Sequence, residues 1–206
     1  MTLHGIETIQ VSGGARAVRT ARSAVIGLIG TAPEADTAAW PADTPVLITG
    51  PKQAEGLGLP GTLKDAVDGI FDQADVASPV IIAVRVEEGA DEMATLANMV
   101  GDAAAGTGVH AFVTAKAALG LSPRILIATG WTHQGTGVAN AVVAELAGIA
   151  AKLRAVIVAD GPNTDLTAAT QYAADNGGSG RVYIVDPWVQ VLDASGAIVD
   201  QPASAR

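Results

Sequence analysis

Hydrophobic positions along the chain change period repeatedly, and the changes mark alternating strands and helices. Ser23 to Gly30 and Thr44 to Thr49 are short apolar runs that predict buried strands, joined by a turn-rich stretch carrying Pro33, Trp40, Pro41 and Asp43. Thr62, with Asp65 three residues on, has the form of a capping box, and Leu63, Val67, Ile70 and Ala74 keep helical spacing behind it. Val80 to Val86 is the next predicted strand. Asp91 is placed to cap a helix with Met93, Leu96, Ala97 and Val100 on one face. Gly101 to Gly108 loosens the chain, and a short helix is predicted near Ala111 to Leu119.

The second half is more regular. It predicts strand Arg124 to Thr129, helix Thr136 to Arg154, strand Ala155 to Ala159, helix Asp165 to Ala174 and strand Arg181 to Val185. Strands separated by helices imply parallel neighbours and right-handed crossovers. Trp188 to Leu192 and Ala197 to Val199, joined through Asp193-Ala194-Ser195-Gly196, predict a terminal hairpin. Ahead of all this, residues 1–22 predict an extended arm outside the core: Gly5, Gly13 and Gly14 break any helix, and Ile9 and Val11 alternate as on a strand. The fold class is therefore α/β, a strand-rich N-terminal half followed by a mostly parallel sheet with flanking helices. No internal repeat or low-complexity tract is present.

Composition narrows the function classes. In 206 residues, 49% are hydrophobic and only 16% charged, which describes a well-buried globular body with a bland surface. A formal net charge of −9 argues against a reader of nucleic-acid backbones, which needs clustered Lys and Arg. Glu145 and Lys152 interrupt the most hydrophobic helix, so no membrane span is predicted. Met1 to Val11 lacks the basic and apolar regions of a secretory signal. The absence of cysteine excludes disulfides and thiolate metal sites and fits assembly in a cytoplasm.

Ligands of open α/β sheets bind at the carboxyl ends of the strands, so the loops there hold the candidate chemistry. Gly130-Trp131-Thr132-His133-Gln134-Gly135-Thr136 spaces two glycines as a phosphate loop does but lacks the lysine, and it also reads as a strand-to-helix turn with Thr136 as N-cap. Asp160-Gly161-Pro162 and Asp186-Pro187 put carboxylates at two strand ends, where they can serve Mg²⁺ or acid and base catalysis, or simply close turns. A hydrolase would need Asp160, Asp186 and His133 to converge; a small-ligand module would use the Gly130 to Thr136 loop. His4, His110 and His133 have no metal-ligand spacing, and no Gly-x-Ser-x-Gly elbow is present. The sequence thus names no catalytic, metal or cofactor residue. Arg16, Arg19 and Arg22 place three of the twelve basic residues within one short stretch of an acidic chain, as on a solvated arm or on a segment that docks on an acidic neighbouring copy.

Five blocks, in order, resemble the contractile phage tail sheath family, including R-type pyocin sheaths. They are Gly14-Ala15-Arg16-Ala17-Val18 with Ser23 to Ala32, Trp40-Pro41-Ala42-Asp43-Thr44-Pro45-Val46-Leu47-Ile48-Thr49, Ile81 to Glu87, Pro123-Arg124-Ile125-Leu126, and Lys152-Leu153-Arg154-Ala155. Two departures stand out: Thr129 precedes Gly130 where the family carries Pro, and family sheaths run to nearly twice this length.

The resemblance implies a subunit of stacked six-membered rings around a tail tube, ending at a baseplate, whose contraction drives the tube through a host envelope. It implies no enzyme activity, cofactor or nucleotide. It also implies an arm at 1–22 that adds a strand to a neighbouring subunit, with Ile6, Ile9, Val11, Arg16, Val18, Arg19 and Arg22 as its contact residues. By the same resemblance, 23–108 is an N-terminal sheath domain and 109–206 the start of a subtilisin-like α/β domain, the tube-facing C-terminal domain and second arm being absent. The expectation is a fragment ending at Arg206, monomeric or weakly associated by itself, from a protein that is assembled in the host cytoplasm and located in the virion tail.

Overall fold

A computed structural model describes residues 25–73, 79–135, 137–192 and 196–206. Its centre is a six-stranded sheet in the order β2-β3-β1-β4-β5-β6. The strands are β1 (Val25–Thr31), β2 (Pro45–Ile48), β3 (Val80–Val86), β4 (Ile125–Ile127), β5 (Val156–Asp160) and β6 (Val182–Val185). Only β2 runs antiparallel, on β3; β1 lies between β3 and β4, parallel to both. The parallel pairs β4–β5 and β5–β6 agree with the sequence expectation. Residues 23–108 supply β1 to β3 and residues 109–206 supply β4 to β6, so the two segments share one sheet and the first is no richer in its strands than the second.

Alternation along the strands places a core on each face. Ile82, Val84 and Val86 face one way and Ile81 and Ala83 the other; likewise Leu126 and Ala128 oppose Ile127. Buried on both faces, these strands read as continuous apolar runs, as parallel strands do. On the first face pack Met99 of α2 (Glu92–Val100), Phe112 of α3 (Ala111–Leu119) and Val142, Leu146 and Ile149 of α4 (Ala141–Leu153). On the second packs α1 (Thr62–Asp72), through Leu63, Ala66 and Val67. The last helix, α5 (Leu166–Asn176), buries Tyr172. Beyond β6 and a cis Asp186–Pro187 peptide, β7 (Val189–Leu192) and β8 (Ile198–Gln201) pair antiparallel, and a 3₁₀ turn at Ala203–Ala205 follows.

Four local expectations need correction. Thr62 does not cap α1: Gly61 holds the N-cap position, and the Thr62 hydroxyl accepts from Thr31 N at 3.3 Å and Trp131 Nε1 at 3.3 Å. The fourth helix begins at Ala141, because Asn140 rather than Thr136 caps it; Thr136 itself lies outside the described residues. Strand β4 is shorter than 124–129, because Trp131 N donates to Ala128 O at 3.0 Å and turns the chain out of the sheet. The second hairpin strand is 198–201 rather than 197–199. Ala74, expected on α1, lies outside the described residues.

Candidate functional site

Strand order reverses at β1, which has β3 on one side and β4 on the other. An open sheet of this kind carries its crevice at the carboxyl ends of those two strands. Here the chain fills that crevice itself. Thr31 and Thr62 bond reciprocally, Thr62 N donating to Thr31 Oγ1 at 3.4 Å, and the Trp131 indole bonds the same Thr62 hydroxyl. Beside them the 203–205 turn seats Ala205 in the α1-side core and brings Ser204 Oγ to 3.4 Å from Thr129 Oγ1. The hollow left between α1, Gly130 and Arg206 is about 120 Å³, well below the roughly 300 Å³ at which small-molecule pockets begin.

Asp160 ends β5 with no exposed surface. Its Oδ1 accepts from Ser204 N at 2.8 Å and its Oδ2 from Ser204 Oγ at 2.7 Å, and Ala203 donates a further backbone bond. The carboxylate thus satisfies the free amides at the start of the 203–205 turn. Burial pushes its carboxyl above the usual range, against the lowering effect of the Ser204 bonds. Behind it, Thr132 Oγ1 accepts from Asp160 N at 2.8 Å, and the buried Tyr172 hydroxyl donates to Thr132 O. Burial, and then the Asp160 charge, push that phenol upward.

Asp186 is committed to a turn. Its Oδ1 accepts from Asn163 N at 2.8 Å and lies so close to Gly161 that an added Cβ there would sit 2.6 Å from it. His133 packs edge-on against Trp188, with ring centroids 5.0 Å apart, and its Nδ1 is buried without a partner among the described residues. Burial holds the imidazole below its usual range, while Asp160 and Glu92 pull the other way. The three residues of the hydrolase reading therefore lie at one end of the sheet, and Asp160 and His133 feel each other's charge, but both carboxylates are committed as acceptors, Asp160 to Ser204 and Asp186 to Asn163. Among the described residues no group of three or more His, Asp or Glu is placed to hold a metal ion.

A pH dependence follows from His133. A histidine lowered on folding contributes stability that is present above its ordinary value of 6.5 and lost as pH falls through the lowered one. Asp160, raised above 3.8, acts oppositely: its contribution is full below 3.8 and is lost as pH rises through the raised value. Urea unfolding of the wild type and His133→Gln from neutrality downward checks this. The variant is expected to lose stability less steeply below 6.5, and parallel curves would contradict the assignment.

The helix start that follows residues 130–135 is already capped. Asn140 Oδ1 accepts from Val142 N at 2.9 Å and Val143 N at 3.1 Å, occupying donors that a phosphate would need. Its amide donates to Trp131 O and Gln134 O, closing the loop. A hollow of about 380 Å³ near Asp43, Glu87 and Asp102 is lined by carboxylates that are already engaged. Asp43 accepts from Gly108 N, Glu87 from Arg85, and Asp102 from Ala104 N and Ala105 N. His110 lies 3.3 Å from Glu145, an ion pair when protonated.

The arm residues Ile6, Ile9, Val11, Arg16, Val18, Arg19 and Arg22, and with them His4, lie outside the described residues. Sequence reasoning locates the strand ends but misses what occupies them: Ser204, Thr132, Trp188 and Asn163. Ser204 lies 44 positions from Asp160, in a stretch with no pattern of its own.

No family model matches the chain. Relatives do. It is 37% identical over 208 residues to a prophage major tail sheath protein of Pseudomonas aeruginosa (strain UCBPP-PA14), covering 98% of this chain and 51% of that protein. It is 32% identical over 162 residues to the tail sheath protein of Escherichia phage P2, covering 74% of this chain and 39% of that one. The major tail sheath protein of Serratia phage KSP20 is 35% identical over 161 residues, with 74% of this chain and 38% of that protein covered. The chain thus spans about half, or less, of the relatives it matches. In fold it is similar to the cryo-EM structure of the anti-feeding prophage helical sheath in the contracted state. The TM-score is 0.57 at 18% identity, over 100% of this chain and 50% of that one. Along the half of such a protein that it spans, the chain belongs to the contractile tail sheath family.

Proposed function

We propose that this chain is part of a structural subunit that polymerises around a tail tube and contracts to drive the tube through a host envelope. One observation carries this beyond family membership: the crevice in which an α/β enzyme would bind its ligand is filled by Trp131, Thr62 and the 203–205 turn. A body closed in this way suits a part that moves as a unit in a lattice whose contraction is a rigid-body rearrangement. The partners in this reading are neighbouring copies in six-membered rings, the tube and the baseplate. The protein sits in the virion tail after assembly in the host cytoplasm, and it uses no cofactor. A subtilisin-like second half and the division at 108/109 belong to the same reading.

The arm is the testable part. Ile6, Ile9, Val11 and Val18 would pair along a neighbour's strand, and Arg16, Arg19 and Arg22 would set register on its acidic surface, given the net charge of −9. Arg16→Glu, Arg19→Glu and Arg22→Glu together, placed in a sheath protein of family length carrying this chain, are expected to abolish assembly in sedimentation. Thermal stability should change by less than about 0.5 kcal/mol per site, as surface substitutions do. Assembly as efficient as the wild type would remove the arm from the reading.

A further inference from the structure

The β7–β8 hairpin is held at both ends by one short segment: Gly161 and Asn163 take its entry, and Asp160 takes its exit. At its entry, Trp188 donates from Nε1 to Gly161 O at 2.9 Å and from its backbone N to Asn163 Oδ1 at 3.1 Å, while its ring meets His133. Asn163 is itself fixed by the bond from its N to Asp186. At the exit, Ser204 donates twice to Asp160. Residues 160–163 therefore grip the chain before and after the hairpin.

The hairpin needs such a grip. Among the described residues β7 and β8 pair only with each other, and a lone two-stranded hairpin is marginal in water. Nor does burial hold its outer end: Leu192 and Ile198, opposed in register, are 72% and 68% exposed. Along the strands the body reaches it only lightly among the described residues, Asn163 Nδ2 donating to Asp200 Oδ2 at 3.5 Å and Arg206 to Gln201, so much of its order comes from where it joins the body.

We propose that loop 160–163 is a two-point clamp that fixes the β7–β8 hairpin to the carboxyl end of the sheet as one rigid lever, with Asp160 and Trp188 as its positioning residues. A load on the hairpin then passes through Asp160 and Gly161 into β5, and from there to β4 and β6, with which β5 pairs. The chain cannot absorb it by bending at either junction without breaking hydrogen bonds, half-buried at the entry and buried at the exit. This inference is independent of the sheath reading: it concerns only how the hairpin is joined.

Hydrogen exchange of the 206-residue chain, followed by mass spectrometry, tests it. Asp160→Ala and Trp188→Ala are each expected to raise exchange at least roughly tenfold at both 189–192 and 198–201, whereas β1 and β3 follow the change in global stability alone. Asp160→Asn, which keeps an acceptor for Ser204 N, is expected to stay within about threefold of wild type. If an alanine variant exchanges faster throughout the sheet, Ser204→Ala and Trp188→Phe, each removing one side-chain donor, replace it; each should speed both strands. Faster exchange confined to the strand beside the substitution would overturn the clamp. So would an Asp160→Asn protein that exchanges no more slowly than the alanine variant.

Discussion

Asp160→Ala is expected to destabilise the protein by about 3 kcal/mol, and Asp160→Asn by less than about 1 kcal/mol. Alanine strands Ser204, whose N and Oγ both donate to this carboxylate and which is itself buried, and it frees the Ala203 amide. A buried donor without a partner costs about 1–3 kcal/mol, and relief from burying a carboxylate offsets part of the total. Asparagine keeps the shape and an acceptor, and it lacks the charge that burial already disfavours, as the raised carboxyl of Asp160 shows. Urea denaturation of the wild type and the two variants at neutral pH measures both differences. Equal losses in the Asp160→Ala and Asp160→Asn proteins would mean that the charge, not the accepting geometry, holds the turn.

A comparable or larger loss, about 3 kcal/mol or more, is expected for Gly61→Ala. Gly61 sits at φ 103° and ψ 173°, a region essentially closed to residues with a Cβ. An added Cβ would also lie 2.3 Å from Thr31 O. Relief requires α1 to move off the end of β1, which breaks the Thr31–Thr62 pair and the Trp131 bond that fill the crevice. The checks are thermal unfolding and Trp131 fluorescence, the latter read in a variant whose other tryptophans, Trp40 and Trp188, are replaced. An unshifted midpoint would show that the helix start adapts without strain.

These two sites mark where the sequence can be read and where it cannot. Strands whose two faces are both buried declare themselves as apolar runs: the bounds expected for β3 are those found, as are those of the short helix α3. A cap that acts within its own turn is equally legible at Asp91, which accepts from Ala94 N as expected, whereas Asp165, expected as the first residue of its helix, is the N-cap and accepts from Ala168 N. Thr62 misleads because its hydroxyl is used across the sheet, by Thr31 and Trp131, 31 and 69 positions away. Asn140 differs: its cap is local, to Val142 N and Val143 N, and what moves the helix start to Ala141 is the rest of its bonding. It caps its helix while bonding back to Trp131 and Gln134, and no local spacing announces a loop closed on itself.

The candidate site divides in the same way. Alternating elements place Gly130, Asp160 and Asp186 at strand ends, because chain direction in a parallel sheet fixes which end each loop occupies. What those residues touch depends on the return of the last segment, residues 202–206, across the sheet. That return is set by Asp160 and by the close approach of Arg206 to Gly69, where an added Cβ would meet the guanidinium at 2.4 Å. Carboxylates that suggest acid and base chemistry by position are, in the fold, acceptors for backbone amides.

Helical reconstruction by electron microscopy, applied to a family-length sheath protein carrying this chain, tests the sheath reading most directly. The expected result is a regular tubular array in which residues 25–206 repeat as one body with the fold described above, linked to neighbouring copies through the 1–22 arm. Dispersed single subunits under conditions in which a related sheath assembles, or an array in which this body makes no contact with its neighbours, would contradict it.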